Sequence, residues 1–178
     1  MSSTALLIID VQVAIVRGAY REAEILDRIA EMAARARAAG APVIYLQHCH
    51  DRYTPMTKGA EGWAIHPAVA PEPRDIVVEK TASDGFYQTG LAAELDRLGV
   101  RRIVVCGLQT EFCVDATTRA ALSHGYDVIL AADAHTTGDA VTPARTTIDH
   151  HNYALGNLAH PRHRVDVRPG AQINFGDA

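Results

Sequence analysis

The chain has 178 residues, 48% hydrophobic and 21% charged, a globular composition that excludes a disordered chain and suits one domain over residues 1–178. Its net charge is −4, from 17 Lys+Arg against 21 Asp+Glu, and no basic block stands out, which argues against nucleic acid or an anionic membrane as partner. No apolar run approaches the roughly 20 residues that cross a bilayer. The cysteines, Cys49, Cys106 and Cys113, are sparse and form no C-x-x-C pair, as in a reducing, cytoplasmic compartment.

The opening MSSTALLIIDVQ has no basic n-region, and Asp10 interrupts its apolar run, so residues 4–9 read as a buried strand and not as a leader. Apolar spacing at Ile25, Ile29 and Met32 in an Ala-rich stretch predicts a helix over 22–39, stopped by Gly40. Residues 42–46 form a second strand. Residues 48–74 hold four of the eight prolines, two glycines and Trp63 without periodicity; a loop this long in a compact domain is usually functional. A third strand covers 75–79, a helix 91–98 and a fourth strand 102–106. A helix from about 111 to 124 follows at once, then a strand over 126–131, a helix over 142–155 and a last strand over 164–167. This alternation predicts an α/β, Rossmann-like fold: a mainly parallel sheet with helices on both faces. No G-x-G-x-x-G or phosphate loop follows the first strand, so no nucleotide cofactor is expected.

Ligands of such sheets bind at the carboxyl ends of the strands. There the sequence places Asp10, Lys80 and Gly107, then Thr110, Glu111, Phe112 and Cys113, and, after a fifth strand ending near Asp133, His135, Thr136 and Thr137. With Thr110 as N-cap, Cys113 stands at the third helical position, where the helix dipole favours a thiolate. Cys113 then serves as nucleophile, Asp10 as general base and Lys80 as stabiliser of negative charge. By spacing alone, a cysteine placed like Cys113 is more often a small core residue, by roughly two to one, an aspartate placed like Asp10 is very often a cap or loop residue, and Lys80 also reads as a solvated strand end. Trp63, Phe86 and Tyr87 are candidate pocket walls or packing residues. Gln12 and Thr137 point to the pocket or to solvent. Cys106 reads as core, and His150 and His151 as structural or interface residues.

The stretches LLIIDVQ (6–12), GWAIHPAV (62–69), VVEKTASDGFYQTGL (77–91), VVCGLQTEFCVDATTRAAL (104–122), GYDVILAADAHTT (125–137) and HHNYALGNL (150–158) resemble the isochorismatase-like cysteine hydrolases in order and spacing. The G-x-x-T-x-x-C-V block is specific in the company of Asp10 and Lys80. Within the family the likeness is to the small amidase branch that includes streptothricin hydrolase, more than to nicotinamidases. The resemblance implies a three-layer α/β/α sandwich with a six-stranded parallel sheet, a catalytic triad of Asp10, Lys80 and Cys113, and a homodimer or homotetramer. It also implies a non-proline cis peptide at Leu108–Gln109 that turns the Gln109 N–H toward an oxyanion, beside that of Cys113. A strand order of 3-2-1-4-5-6 would leave Lys80 to reach the centre from an edge.

The cysteine favours hydrolysis of a C–N amide bond of a small molecule through a Cys113 thioester. Gln12, His48, Trp63, His66, Phe86, Tyr87 and Thr137 are the candidate substrate-binding residues. No cofactor and no metal are expected, because a His, in His48-Cys49-His50-Asp51, stands where the nicotinamidase metal motif has its Asp. The alternatives are a nicotinamidase whose metal is held by His48, His50 and His66, a vinyl-ether hydrolase using Asp10 as general acid without the thiol, and a non-enzymatic binding module on the same scaffold.

Overall fold

A computed structural model describes residues 3–176, so the ends of the 1–178 domain span and the first two residues of the opening stretch lie outside the described residues. Six strands, β1 (Thr4–Ile9), β2 (Val43–His48), β3 (Ile76–Lys80), β4 (Arg102–Leu108), β5 (Asp127–Thr136) and β6 (Val165–Arg168), form one sheet in the order β3-β2-β1-β4-β5-β6. Every neighbouring pair is parallel.

β1 is buried at all of its positions, because both of its faces are covered. Leu6 and Ile8 pack toward α2 (Glu22–Ala38) with its Ile25, Ile29 and Met32. Ala5, Leu7 and Ile9 pack on the other face with Leu91 and Leu95 of α3 (Leu91–Arg97), Ala121 and Leu122 of α4 (Asp115–Ser123), and Leu155 of α5 (Ala144–Gly156). This two-sided burial is why TALLII is apolar throughout instead of alternating. A short helix, α1 (Val13–Val16), follows β1 and buries Val16 on the α2 side. The α2 stripe at Ile25, Ile29, Met32 and Ala36 is buried, and full burial of an Ile or Met side chain stabilises by roughly 1.5–3 kcal/mol. Glu22 and Glu24 in its first turn and Arg35 and Arg37 in its last match the helix dipole.

Most predicted boundaries shift by one or two residues, and three differences affect the site. β4 continues to Leu108, and β5 runs on to Thr136. The polar DAHTT segment stays in the sheet because Gly107 pairs with His135 and Leu108 with Thr136 after a register shift between Val105 and Gly107. The helix predicted from 111 begins instead as a π turn, Thr110–Val114, and becomes α-helical only at Asp115. The loop over 48–74 carries three short 3-10 turns. No helix among the described residues is long and apolar enough to cross a membrane.

Gly107 lets β1 and β4 approach where their carboxyl ends meet. Its φ is +118°, and a Cβ there would stand 2.0 Å from the Ile9 carbonyl oxygen. Gly107→Ala is expected to destabilise the fold by about 3 kcal/mol or more, read as a lower urea midpoint at unchanged m-value.

Candidate active site

Strand order reverses its sense of winding between β1 and β4, and Asp10 follows β1 at that point. Its N–H donates to the Leu46 carbonyl at 3.0 Å, and its φ is +50°, a conformation that a non-glycine residue keeps only where its surroundings hold it. Lys80 ends the edge strand β3, two strands and about 10 Å from β1 at ordinary strand spacing. It stands beside His48 in register, and its stem spans the end of β2. Nζ lies 2.7 Å from Asp10 Oδ2, with both side chains fully buried. It also lies 3.2 Å from His48 Nδ1 and donates to the Ala82 carbonyl at 3.0 Å. Three acceptors thus face the three N–H donors of the ammonium, and the edge position of β3 is no obstacle.

Cys113 completes the cluster: an Asp10 oxygen, a His48 ring nitrogen and Cys113 Sγ lie within 4.8 Å of one another. Burial pushes the Asp10 carboxyl above its ordinary range, opposed by the Lys80 ammonium and then by the Cys113 thiol. Burial, then Lys80, lowers His48 and keeps it neutral. The thiol of Cys113 is pushed up to about 12 by burial and then by the Asp10 carboxylate. The expected thiolate is therefore corrected. Desolvation and a neighbouring negative charge outweigh Lys80 and the helix start, and the resting group is a thiol.

The donors Asp10, His48 and Cys113 are of metal-binding type, but a cation among them would meet the Lys80 ammonium already seated on Asp10 and His48. His50 and His66 of the alternative metal set are not part of this cluster.

The turn that carries Cys113 opens with a cis peptide at Leu108–Gln109. The Gln109 carbonyl accepts from the Phe112 and Val114 N–H groups at 3.1 and 3.2 Å, the latter a π-type closure of a kind frequent at functional sites. Thr110 is not the N-cap. Gln109 holds that position without a side-chain bond, and the buried Thr110 hydroxyl instead lies 2.9 Å from His135 Nδ1. Cys113 is accordingly the fourth residue of a π turn rather than the third of an α-helix.

The sequence profile of the isochorismatase domain matches residues 4–165. The chain belongs to the isochorismatase family. It is 47% identical over 138 residues to a streptothricin hydrolase of Streptomyces noursei, an alignment covering 76% of this chain and 50% of that one. The chain spans about half the length of the two streptothricin hydrolases it matches. Among solved structures of the family's fold, a cysteine hydrolase from Pseudomonas syringae pv. phaseolicola 1448A superposes with TM-score 0.80 at 26% identity, covering 96% of this chain and 90% of that one. N-carbamoylsarcosine amidase from Thermoplasma acidophilum gives TM-score 0.79 at 25% identity, covering 97% and 99%.

The other singled-out residues of this family member fall into distinct places. His48 lies in the cluster. Gln12 is fully buried and acts as a staple: its Nε2 donates to the His48 and Trp63 carbonyls at 3.0 and 2.7 Å, and its Oε1 accepts from the His48 N–H at 2.8 Å. It therefore ties the long loop to the end of β2, with its amide spent on backbone groups. Trp63 is half-buried, its indole N–H donating to Cys49 Sγ at 3.1 Å. His66 caps the Pro67–Val69 turn, accepting from the Ala68 N–H, so its Nδ1 is not free for a ligand. Phe86 is core, stacked on His124 with centroids 4.5 Å apart, and the pocket-wall expectation is corrected there. Tyr87 is exposed. Thr137 is buried and donates to Glu111 Oε1 at 2.9 Å, bracing the turn rather than lining a pocket.

Asp133 stands away from the site, paired with Arg28 at 2.5 Å and accepting from the Gly170 N–H. Cys106 is buried core as read, and His151 bonds the Thr147 carbonyl within α5. Asn152, which lies in the HHNYALGNL stretch and was not singled out there, bonds His135 Nε2 at 2.9 Å. A cavity lined by Glu111, Phe112, Thr147 and His151 borders the Cys113 turn, and a depression lined by Cys49, His50, Asp51, Arg52 and Thr81 opens at the end of β3.

Burial pushes His135 down to about 4, against an ordinary value near 6.5 in the unfolded chain. As pH falls the unfolded state takes up this proton first. The contribution is thus fully present above about pH 6.5 and is lost toward pH 4, by about 3 kcal/mol for this residue. His48 acts in the same direction. Urea unfolding between about pH 7.5 and 4.5 is expected to show falling stability, with a shallower slope in His135→Gln.

Proposed function

We propose that the protein is a cysteine hydrolase that cleaves a C–N amide bond of a small molecule through a thioester on Cys113. The carrying observation is the buried cluster in which Lys80 Nζ lies 2.7 Å from Asp10 Oδ2 and the Cys113 thiol lies against that same carboxylate. The names of the relatives, a streptothricin hydrolase and an N-carbamoylsarcosine amidase, support amide chemistry.

Sγ attacks the substrate carbonyl as Asp10 takes the thiol proton, so the proton passes from sulfur to the carboxylate and the negative charge ends on the carbonyl oxygen, without a free thiolate. The Gln109 and Cys113 backbone N–H groups receive the oxyanion. Collapse breaks the C–N bond, and the amine leaves with the proton from Asp10. Water then adds to the thioester, Asp10 again accepting a proton, and expulsion of sulfur releases the acid and restores the thiol. Lys80 keeps Asp10 ionised between these transfers. His48, in the cluster, and Trp63 remain as candidates for contact with the substrate.

Purified protein assayed on nicotinamide, N-carbamoyl amino acids, simple lactams and a streptothricin-type lactam is expected to turn over at least one of them. Cys113→Ala is expected to lose about 1,000-fold or more, and EDTA to leave turnover unchanged. Full activity in Cys113→Ala would overturn the thioester route, and retention on isochorismate would favour vinyl-ether hydrolysis.

The pH profile provides a second check. Asp10 must be ionised, so kcat/KM falls as pH drops through its raised pKa. Removing the ammonium that holds this value down, in Lys80→Met, is expected to move the acid limb to higher pH.

A further inference from the structure

A chain of buried hydrogen bonds, separate from the Asp10–Lys80–Cys113 cluster, runs from α5 through β5 to the nucleophile turn. Asn152 Nδ2 donates to the Ala132 carbonyl at 3.1 Å, which fixes the amide so that its Oδ1 faces the ring of His135, 2.9 Å from Nε2. That oxygen only accepts, so Nε2 carries the hydrogen. His135 Nδ1 is then an acceptor, and the Thr110 hydroxyl 2.9 Å away donates to it. His135 and Thr110 are both fully buried, and burial keeps the ring neutral. One tautomer and one hydroxyl direction satisfy the whole chain.

The turn that this chain reaches needs such a tie. It begins at Gln109 without a side-chain cap, its five residues form a π turn, and Phe112 at its centre is exposed. Thr110 stands three residues before Cys113, so rotation of the turn about Thr110 carries Sγ toward or away from Asp10. Resting on the reading of Cys113 as nucleophile, we propose that His135, acting through Thr110, is a positioning residue that holds the Cys113 turn against Asp10. The buried histidine two residues beyond Asp133 thus acts on the reaction without touching substrate.

The experiment compares wild type with Thr110→Val, which keeps the shape and removes the hydroxyl, and Thr110→Ser, which restores it. Two readouts are taken: kcat and KM on an amide the wild type hydrolyses, and the pH profile of Cys113 alkylation by iodoacetamide without substrate. The charged and titratable groups facing Sγ are Asp10, Lys80 and His48. Thr110→Val is expected to lose about 100-fold in kcat with KM changed less than about threefold. Its alkylation midpoint is expected to fall, because Sγ moves away from the Asp10 charge that keeps the thiol protonated. Thr110→Ser is expected to follow wild type in both.

Asn152→Ala releases the ring from the α5 end and reads the same link should Thr110→Val not fold. A folded Thr110→Val or Asn152→Ala with wild-type kcat and an unshifted alkylation profile would overturn the proposal, as would a Thr110→Ser no better than Thr110→Val. Loss of fold in both would also count against it, since the link would then hold the fold rather than the turn. Should Cys113→Ala keep amide turnover, the nucleophile reading fails instead, and the alkylation profile still reports whether Thr110 positions Sγ.

Discussion

The buried contact between Lys80 and Asp10 is the constraint around which the carboxyl rim of the sheet is built. Two charges are held out of water at 2.7 Å, an arrangement whose desolvation cost is of the same order as its attraction. It persists because the ammonium has three acceptors, Asp10, His48 and the Ala82 carbonyl. As a stabilising device it would be inferior to apolar packing, and removing either partner would strand the other charge in the core. In the proposed reaction its use is chemical: the ammonium opposes the effect of burial on a carboxylate that lies beside a thiol.

The same dryness governs Cys113. A cysteine at the start of a helix is ordinarily a candidate for a lowered pKa, yet here burial and the Asp10 carboxylate push the thiol up to about 12. In the proposed reaction the proton is held until a carbonyl arrives to accept the sulfur lone pair, and the carboxylate that raises the thiol pKa is also the group that receives the proton. A site of this kind gives little free thiolate at neutral pH, which limits reaction with adventitious electrophiles.

Polar groups that look available in the sequence are largely spent on holding this rim in place. Gln12 fastens the long loop to the end of β2, His66 caps a turn of that loop, and Thr137 braces Glu111. Gly107 allows the backbone of β4 to close on Ile9. A buried amide or hydroxyl must find partners, and around a packed rim the nearest partners are loop carbonyls and turn residues.

The alternation of apolar strands with helical stripes was legible in the chain: TALLII, the Ile25–Ile29–Met32 spacing and the Gly40 stop follow from local burial and backbone preference, and with them the parallel sheet. The meeting of Asp10, Lys80 and Cys113 was legible too, because each lies at or just beyond the carboxyl end of a strand, and those ends had to lie on one rim. Tertiary structure alone decided the rest. β5 stays in the sheet through a polar segment because β4 offers it partners, a choice no local pattern records. Phe86 is core because His124 and Tyr126 stack on it, and Thr110 turns from cap to tether because His135 is buried behind it. Periodicity encodes which face of an element is dry; which polar group meets which, and how strongly burial shifts its proton affinity, depends on neighbours distant in sequence, and these exist only once the chain is folded.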